Sequence, residues 1–185
     1  MNGKYLDYKK ISRALYVGRF QPFHLGHLEA VKYILRDSSE VVIVIGSAQH
    51  SYTLENPFTA GERAVMIRLA LNEAGIDSSR YFIIPVTDLD IHGIWVSWVA
   101  SFVPPFDVVY TNEPLTKRLF MESGFKVMSI PFFKREVCSA TEVRRRIMNN
   151  ENWEELIPKS IVEFIREKDG VKRLQELAKS DKISA

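Results

Sequence analysis

The sequence holds a single cysteine, Cys138, among 185 residues. It can form no intrachain disulfide and no cysteine-built metal centre. No apolar run approaches the ~20 residues needed to cross a bilayer. Residues 1–13 are polar and charged and lack the apolar stretch of a secretory signal. A soluble, cytoplasmic protein with no membrane partner is the expectation. Excess charge is also missing: 25 Lys+Arg against 23 Asp+Glu leave a net charge of +2. So small an imbalance gives no broad field to hold nucleic acid. Neither internal repeats nor low-complexity segments occur. No carboxylate or third histidine joins the only close histidine pair at a ligand spacing, so no protein-built metal site is expected.

What is present is an alternation of short apolar runs with amphipathic stretches. The runs Leu15–Val17, Val41–Ile45, Tyr81–Ile84, Asp107–Tyr110 and Lys126–Ile130 read as strands. Helices are expected over Leu28–Leu35, Thr59–Ala74, Ile94–Phe102, Pro114–Glu122, Thr141–Met148 and Pro158–Lys168, with a helix-prone tail over Val171–Lys179. Thr59 and Glu62 have capping-box spacing, and Pro158 suits a first helical position. Strands that are apolar throughout imply burial of both faces. The pattern predicts an α/β fold, a parallel sheet with helices on both sides. Ligands of such sheets bind beyond the carboxyl ends of the strands, at a topological switch. The expected organisation is an arm over 1–13, the main domain over 14–150, and C-terminal helices over 151–185 packed on it.

Gly18-Arg19-Phe20-Gln21-Pro22-Phe23-His24-Leu25-Gly26-His27 spans the first strand-to-helix junction. Helix N-termini present unpaired N–H groups and a positive dipole end, so anions collect there. A lone histidine reads most simply as a surface or hydrogen-bonded core residue. Two histidines three apart share a face, and Gly26 between them admits a phosphate to the backbone. Cys138-Ser139-Ala140-Thr141-Glu142-Val143-Arg144 opens a later helix. Ser139 and Thr141 there either cap the backbone or bind an anion, and Arg144 shares the face of Thr141. Taken with the first motif, it reads as a second phosphate clamp. Arg145 and Arg146 fall elsewhere on the helix, as surface or interface residues.

Together these motifs resemble the nucleotidyltransferase superfamily with an HxGH signature and a late Ser/Thr–x–x–Arg signature. More closely, Gly46-Ser47-Ala48-Gln49, Glu55 to Arg63, Pro104-Pro105-Phe106-Asp107 and Thr141 to Arg146 resemble the archaeal type of nicotinamide mononucleotide adenylyltransferase. The resemblance implies a Rossmann-like doubly wound sheet and an enzyme that joins ATP to nicotinamide mononucleotide (NMN), yielding NAD and pyrophosphate. It implies direct attack of the mononucleotide phosphate on the α-phosphorus of ATP. Mg²⁺ would be held mainly by phosphate oxygens and water. By the same resemblance His24, His27 and Arg144 are catalytic. Gly18, Arg19, Phe20, Gly26, Ser139 and Thr141 would bind ATP phosphates. Gly46, Ser47, Asp88 and Trp95 would frame the NMN, with Trp95 stacked on the ring and Asp88 at the carboxamide. Homo-oligomers, often hexamers, are expected.

Thr111-Asn112-Glu113-Pro114 stands where relatives commonly have Ser-Gly-Asn-Pro, and His92 where an asparagine is expected. Transfer to another phosphate acceptor, such as phosphopantetheine or FMN, is the neighbouring alternative. A non-catalytic nucleotide sensor is the other. The first is disfavoured by Arg-Phe-Gln-Pro-Phe in place of Thr-Phe-Asp, the second by the presence of both clamps.

Overall fold

The computed structural model describes residues 12–131 and 138–184, without the side chains of 180–184. Of the expected arm, residues 1–11 lie outside the described residues, and Arg13 belongs to the first strand. Five parallel strands, β1 (Arg13–Gly18), β2 (Glu40–Ile45), β3 (Tyr81–Pro85), β4 (Val108–Tyr110) and β5 (Lys126–Met128), form one sheet in the order β3-β2-β1-β4-β5. The helices are α1 (Leu25–Asp37), α2 (Ala60–Glu73), α3 (His92–Phe102), α4 (Pro114–Glu122), α5 (Ala140–Met148), α6 (Lys159–Glu167) and α7 (Gly170–Ser184).

Period-two alternation along the strands feeds two apolar cores. Ala14, Tyr16, Val41, Ile43 and Ile45 point to one face and pack under α1, α2 and the C-terminal helices. Leu15, Val42, Val44 and Val109 point to the other and pack under α3 and α4. That double coverage is why the strands are apolar throughout. The sheet is doubly wound, as the sequence pattern predicts. Its order reverses between β1 and β4, so the loops that leave these strands diverge and open a cleft at their carboxyl ends.

Several boundaries differ from expectation for local reasons. Helix α1 begins at Leu25 because the His24 ring caps it. Strand β5 ends at Met128; beyond it the Asn112 side chain bonds both the N–H and the C=O of Ile130. Pro158 is the residue before α6 rather than its first. The tail helix runs well past the expected stretch at its far end, over Gly170–Ser184. Thr59 and Glu62 do form the capping box at α2.

Helix α5 is amphipathic. Val143 and Ile147, four apart, are fully buried at 0% and 1% exposure. Each contributes roughly 1.5–3 kcal/mol, against about 1 kcal/mol for the Ser139 cap. Packing therefore sets the position of α5, and with it that of Arg144, next to Val143 on the same helix.

Candidate active site

His24 is the N-cap of α1 and His27 its third residue. The Nδ1 of each ring accepts from the other's backbone N–H, at 3.3 Å and 3.2 Å. This is a capping box made of two imidazoles. The rings stack, with centroids 3.6 Å apart and planes 25° apart. An acceptor Nδ1 leaves Nε2 as the protonated nitrogen. Both side chains are thus set as neutral Nε2–H donors. Burial pushes His24 down to about 4. Burial, and then the neighbouring His24, push His27 well below its ordinary 6.5. Phe20, at φ 52°, lies under His27 edge-on at 4.9 Å and is buried. Its side chain is core, beneath the His27 ring.

The second motif meets the first. Arg144 Nη1 donates to the carbonyl of Gln21 at 2.8 Å, across 123 residues of chain. Its Nη2 reaches Thr141 Oγ1 at 3.5 Å. Cys138 and Ser139 line the same cleft as His24, Gly26 and His27, a space of about 250 Å³ walled opposite by Thr111, Asn112 and Ile130. Ser139 Oγ accepts from the N–H of Glu142 and keeps its own proton to donate. A side chain at Gly26 would stand 3.0 Å from the His24 ring and 3.5 Å from the Cys138 carbonyl. Glycine there lets the ring and the start of α5 share one corner. Burial lowers the Arg144 pKa, Arg19 adds to this, and Glu55 opposes it. Arg19 is exposed and faces Glu55 at 3.8 Å. Arg145 and Arg146 pair outward with Glu142, Glu151 and Glu155.

The other expected half lies after β2 and β3. Ser47, at φ 50°, donates through Oγ to Asp88 Oδ2 at 2.5 Å. Gln49 bonds the backbone of Asp88 on both its N–H and C=O. Gly46 leaves open the space beside Asp88 Oδ1, which is 3.8 Å from where a Cβ would stand. Gly18 makes room for the Phe20 ring and accepts from the Gly46 N–H at 2.9 Å. Trp95 is half-buried, edge-on to Phe120 at 5.6 Å, within the core under α3 and α4. It has the anchor position of an amphipathic helix. The indole that grips the loop belongs to Trp98, whose Nε1 donates to the Thr87 carbonyl at 2.9 Å.

The cytidylyltransferase-like family model matches residues 15–146, which includes both clamps. Nicotinamide-nucleotide adenylyltransferase from Methanolobus tindarius is 52% identical over 92% of this chain and 96% of its own length. The Archaeoglobus fulgidus protein of the same name is 52% identical over 91% and 99%. The chain belongs to the nicotinamide-nucleotide adenylyltransferase family. A bifunctional NMN adenylyltransferase/ADP ribose pyrophosphatase from Francisella tularensis has the same fold, with a TM-score of 0.72 at 23% identity. It aligns over 94% of this chain, which spans about half (54%) of that protein.

Within this adenylyltransferase chain, the departure at Thr111–Pro114 has structural uses. Thr111 Oγ1 accepts from the Glu113 N–H. Asn112 continues the β4–β5 pairing, and Glu113 caps α4 through the N–H groups of Leu115 and Thr116. His92 is the exposed first residue of α3. Sequence reasoning passed over Gln21, Gln49 and Arg63 as individuals. Gln21 is 2% exposed and clasps the backbone of Phe58 on both sides, at 2.8 Å and 3.0 Å. The only local signal for such residues is a polar side chain inside an otherwise apolar motif. No helix among the described residues is long and apolar enough to cross a membrane.

Proposed function

We propose that this chain transfers the adenylyl group of ATP to nicotinamide mononucleotide, forming NAD and pyrophosphate. One observation carries the reading of the site: the bond from Arg144 to Gln21 brings the late clamp onto the loop that leads into His24 and His27. The imidazole Nε2–H groups and the Ser139 hydroxyl surround a helix N-terminus, where a triphosphate fits. Transfer in line requires fixed positions and stabilisation of spreading negative charge, with little covalent work by the protein. Neutral donors serve it without competing for the acceptor's proton, because the attacking phosphate is already ionised. Arg144, held by Gln21 and Thr141, keeps a rigid fork for the β- and γ-phosphates and the departing pyrophosphate. Gly18 and Gly26 seat the Phe20 and His24 rings that shape the phosphate corner, and Arg19 swings from Glu55 to close the outer side.

The acceptor takes the other half. The Gly46–Ser47 turn frames its ribose phosphate. Asp88 Oδ1, beside Gly46, accepts from the carboxamide N–H, and the exposed part of Trp95 flanks the pyridinium ring. The divalent cation arrives with the substrate. The described residues include no group of three or more His, Cys, Asp or Glu side chains able to hold a metal. Mg²⁺ would sit mainly on phosphate oxygens and water. The same reading puts the enzyme in the cytoplasm as a homo-oligomer. The exposed Ile91, just before α3, with Ile94 and Phe102 of α3 and Leu115 and Met121 of α4, offers apolar area for subunit contact.

A substrate panel tests the reading. ATP and Mg²⁺ are offered with NMN, nicotinic acid mononucleotide, FMN and phosphopantetheine, and pyrophosphate release is followed. Release with a pyridine mononucleotide, with dinucleotide as co-product, is expected. Faster release with phosphopantetheine or FMN, or none with any acceptor, would overturn it.

A further inference from the structure

Arg63 sits in the first turn of α2 with no exposed surface. Burial and the positive end of the helix both disfavour a cation there. No carboxylate forms an ion pair with it among the described residues. Burial lowers its pKa to about 10, with the nearby charge of Asp88 acting in the opposite direction. Its guanidinium is spent on backbone carbonyls. Nη1 donates to Arg19 at 2.9 Å and to Gly46 at 2.8 Å, and Nη2 donates to Ser47 at 3.1 Å. Nε reaches Thr59 at 3.3 Å, within its own helix cap. Arg19 follows β1 on the side of the phosphate clamps, whereas Gly46 and Ser47 follow β2 on the side of the acceptor. One planar fork thus spans the two loops that carry the two substrates.

We propose that Arg63 is a positioning residue for the transfer step, one that fixes the distance between the nucleotide-triphosphate loop and the mononucleotide turn. The proposal rests on the adenylyl-transfer reading above. A planar fork of five donors holds four carbonyls in fixed directions several ångströms apart, whereas the three donors of an ammonium radiate from one atom and cannot span the same separation. In-line attack requires the reacting atoms at about 3–3.5 Å, and a displacement of about 1 Å can lower the rate ~100-fold. Each loop still binds its own substrate when the fork is lost, because the side chains that touch the ligands remain. The damage belongs to their relative placement, and so to kcat.

The test uses Arg63→Ala and Arg63→Lys in the full chain, with active sites counted by calorimetric titration with NMN. Per titrated site, kcat for NAD formation is expected to fall about 100-fold in both variants, while KM for ATP and for NMN each change less than about threefold. Millimolar guanidinium ion is expected to restore kcat of Arg63→Ala at least tenfold and to leave Arg63→Lys unchanged. If Arg63→Ala fails to fold, the kcat and KM split of Arg63→Lys decides alone. A kcat per site within threefold of wild type overturns the proposal, and so does a loss expressed equally in both KM values. Wild-type chain that forms no NAD overturns the functional reading itself, a result separable from normal wild-type turnover with indifferent variants.

Discussion

At the scale of single residues, the proposed function has the two histidines act through a fixed tautomer. His27→Ala removes one preorganised donor, and kcat is expected to fall about 100-fold or more, with KM for NMN little changed. Unaltered kcat at saturating ATP would remove His27 from the chemistry. The tautomer has a pH consequence. His24 titrates near 6.5 when unfolded and at about 4 when folded. Between those values the unfolded chain binds the proton and the folded chain refuses it. Stability therefore rises with pH across this window and is lost as pH falls from 6.5 towards 4. The loss is on the order of 3 kcal/mol when complete. Denaturant unfolding from pH 4.5 to 7 is expected to show this slope. His24→Asn, which keeps a capping acceptor but cannot titrate, is expected to remove the share of His24 and leave that of His27. Equal slopes in both proteins would contradict the capped, buried imidazole.

Secondary-structure elements carry the site as rigid parts. Gly26→Ala gains helix propensity of about 1 kcal/mol, yet its methyl would meet the His24 ring at 3.0 Å. Stability is expected to move by less than about 1 kcal/mol while activity drops at least tenfold. Activity at the wild-type level would mean that the ring's place does not matter. On α3, Trp95→Ala is expected to cost about 2–3 kcal/mol through lost packing on Phe120 and also to raise KM for the mononucleotide, since its exposed part flanks the ring. Trp98→Phe instead frees the Thr87 carbonyl and is expected to raise KM for the mononucleotide by loosening the Asp88 loop. Thermal unfolding separates the two variants; an equal loss of stability in both would contradict the core position of Trp95 and the loop position of Trp98.

Elements were legible in the sequence where a local pattern determines them. The β-branched run of β2, the Thr59–Glu62 box and the Pro114 start of α4 each depend on neighbours a few residues away. So did the clamp motifs, since His24, Gly26 and His27 sit within one turn. What stayed hidden is what the chain decides at long range. Nothing near Arg63 shows that its partners are carbonyls of Arg19, Gly46 and Ser47. Nothing near Trp95 and Trp98 says which indole meets a loop and which meets Phe120. Phe20 lies within a phosphate motif but turns inward, because a positive φ directs its ring beneath His27.

The whole molecule is a frame that joins distant loops. Arg173 of α7 forks onto Glu62, the third residue of α2, at 2.8 Å and 2.9 Å. Just before α2, the backbone of Phe58 is clasped by Gln21, whose carbonyl receives Arg144. C-terminal helix, α2, first loop and α5 thus form one connected series that ends in the cleft. Gln21→Ala would strand both backbone groups of Phe58, and a loss of about 1–3 kcal/mol in denaturant unfolding is expected. It is expected to reduce turnover as well, because the loop whose main-chain carbonyl holds Arg144 loses its clasp on Phe58. Unchanged stability would show that the clasp contributes nothing to the frame.

A double-mutant cycle on kcat/KM for ATP, with His27→Ala, Arg144→Gln and the double variant, addresses the convergence of the two clamps most directly. If both grip one triphosphate, removing either loosens the other's hold, and the two losses fall short of adding by at least about 0.5 kcal/mol. Losses that add within about 0.3 kcal/mol would mean that the imidazole and the guanidinium act on separate ligands.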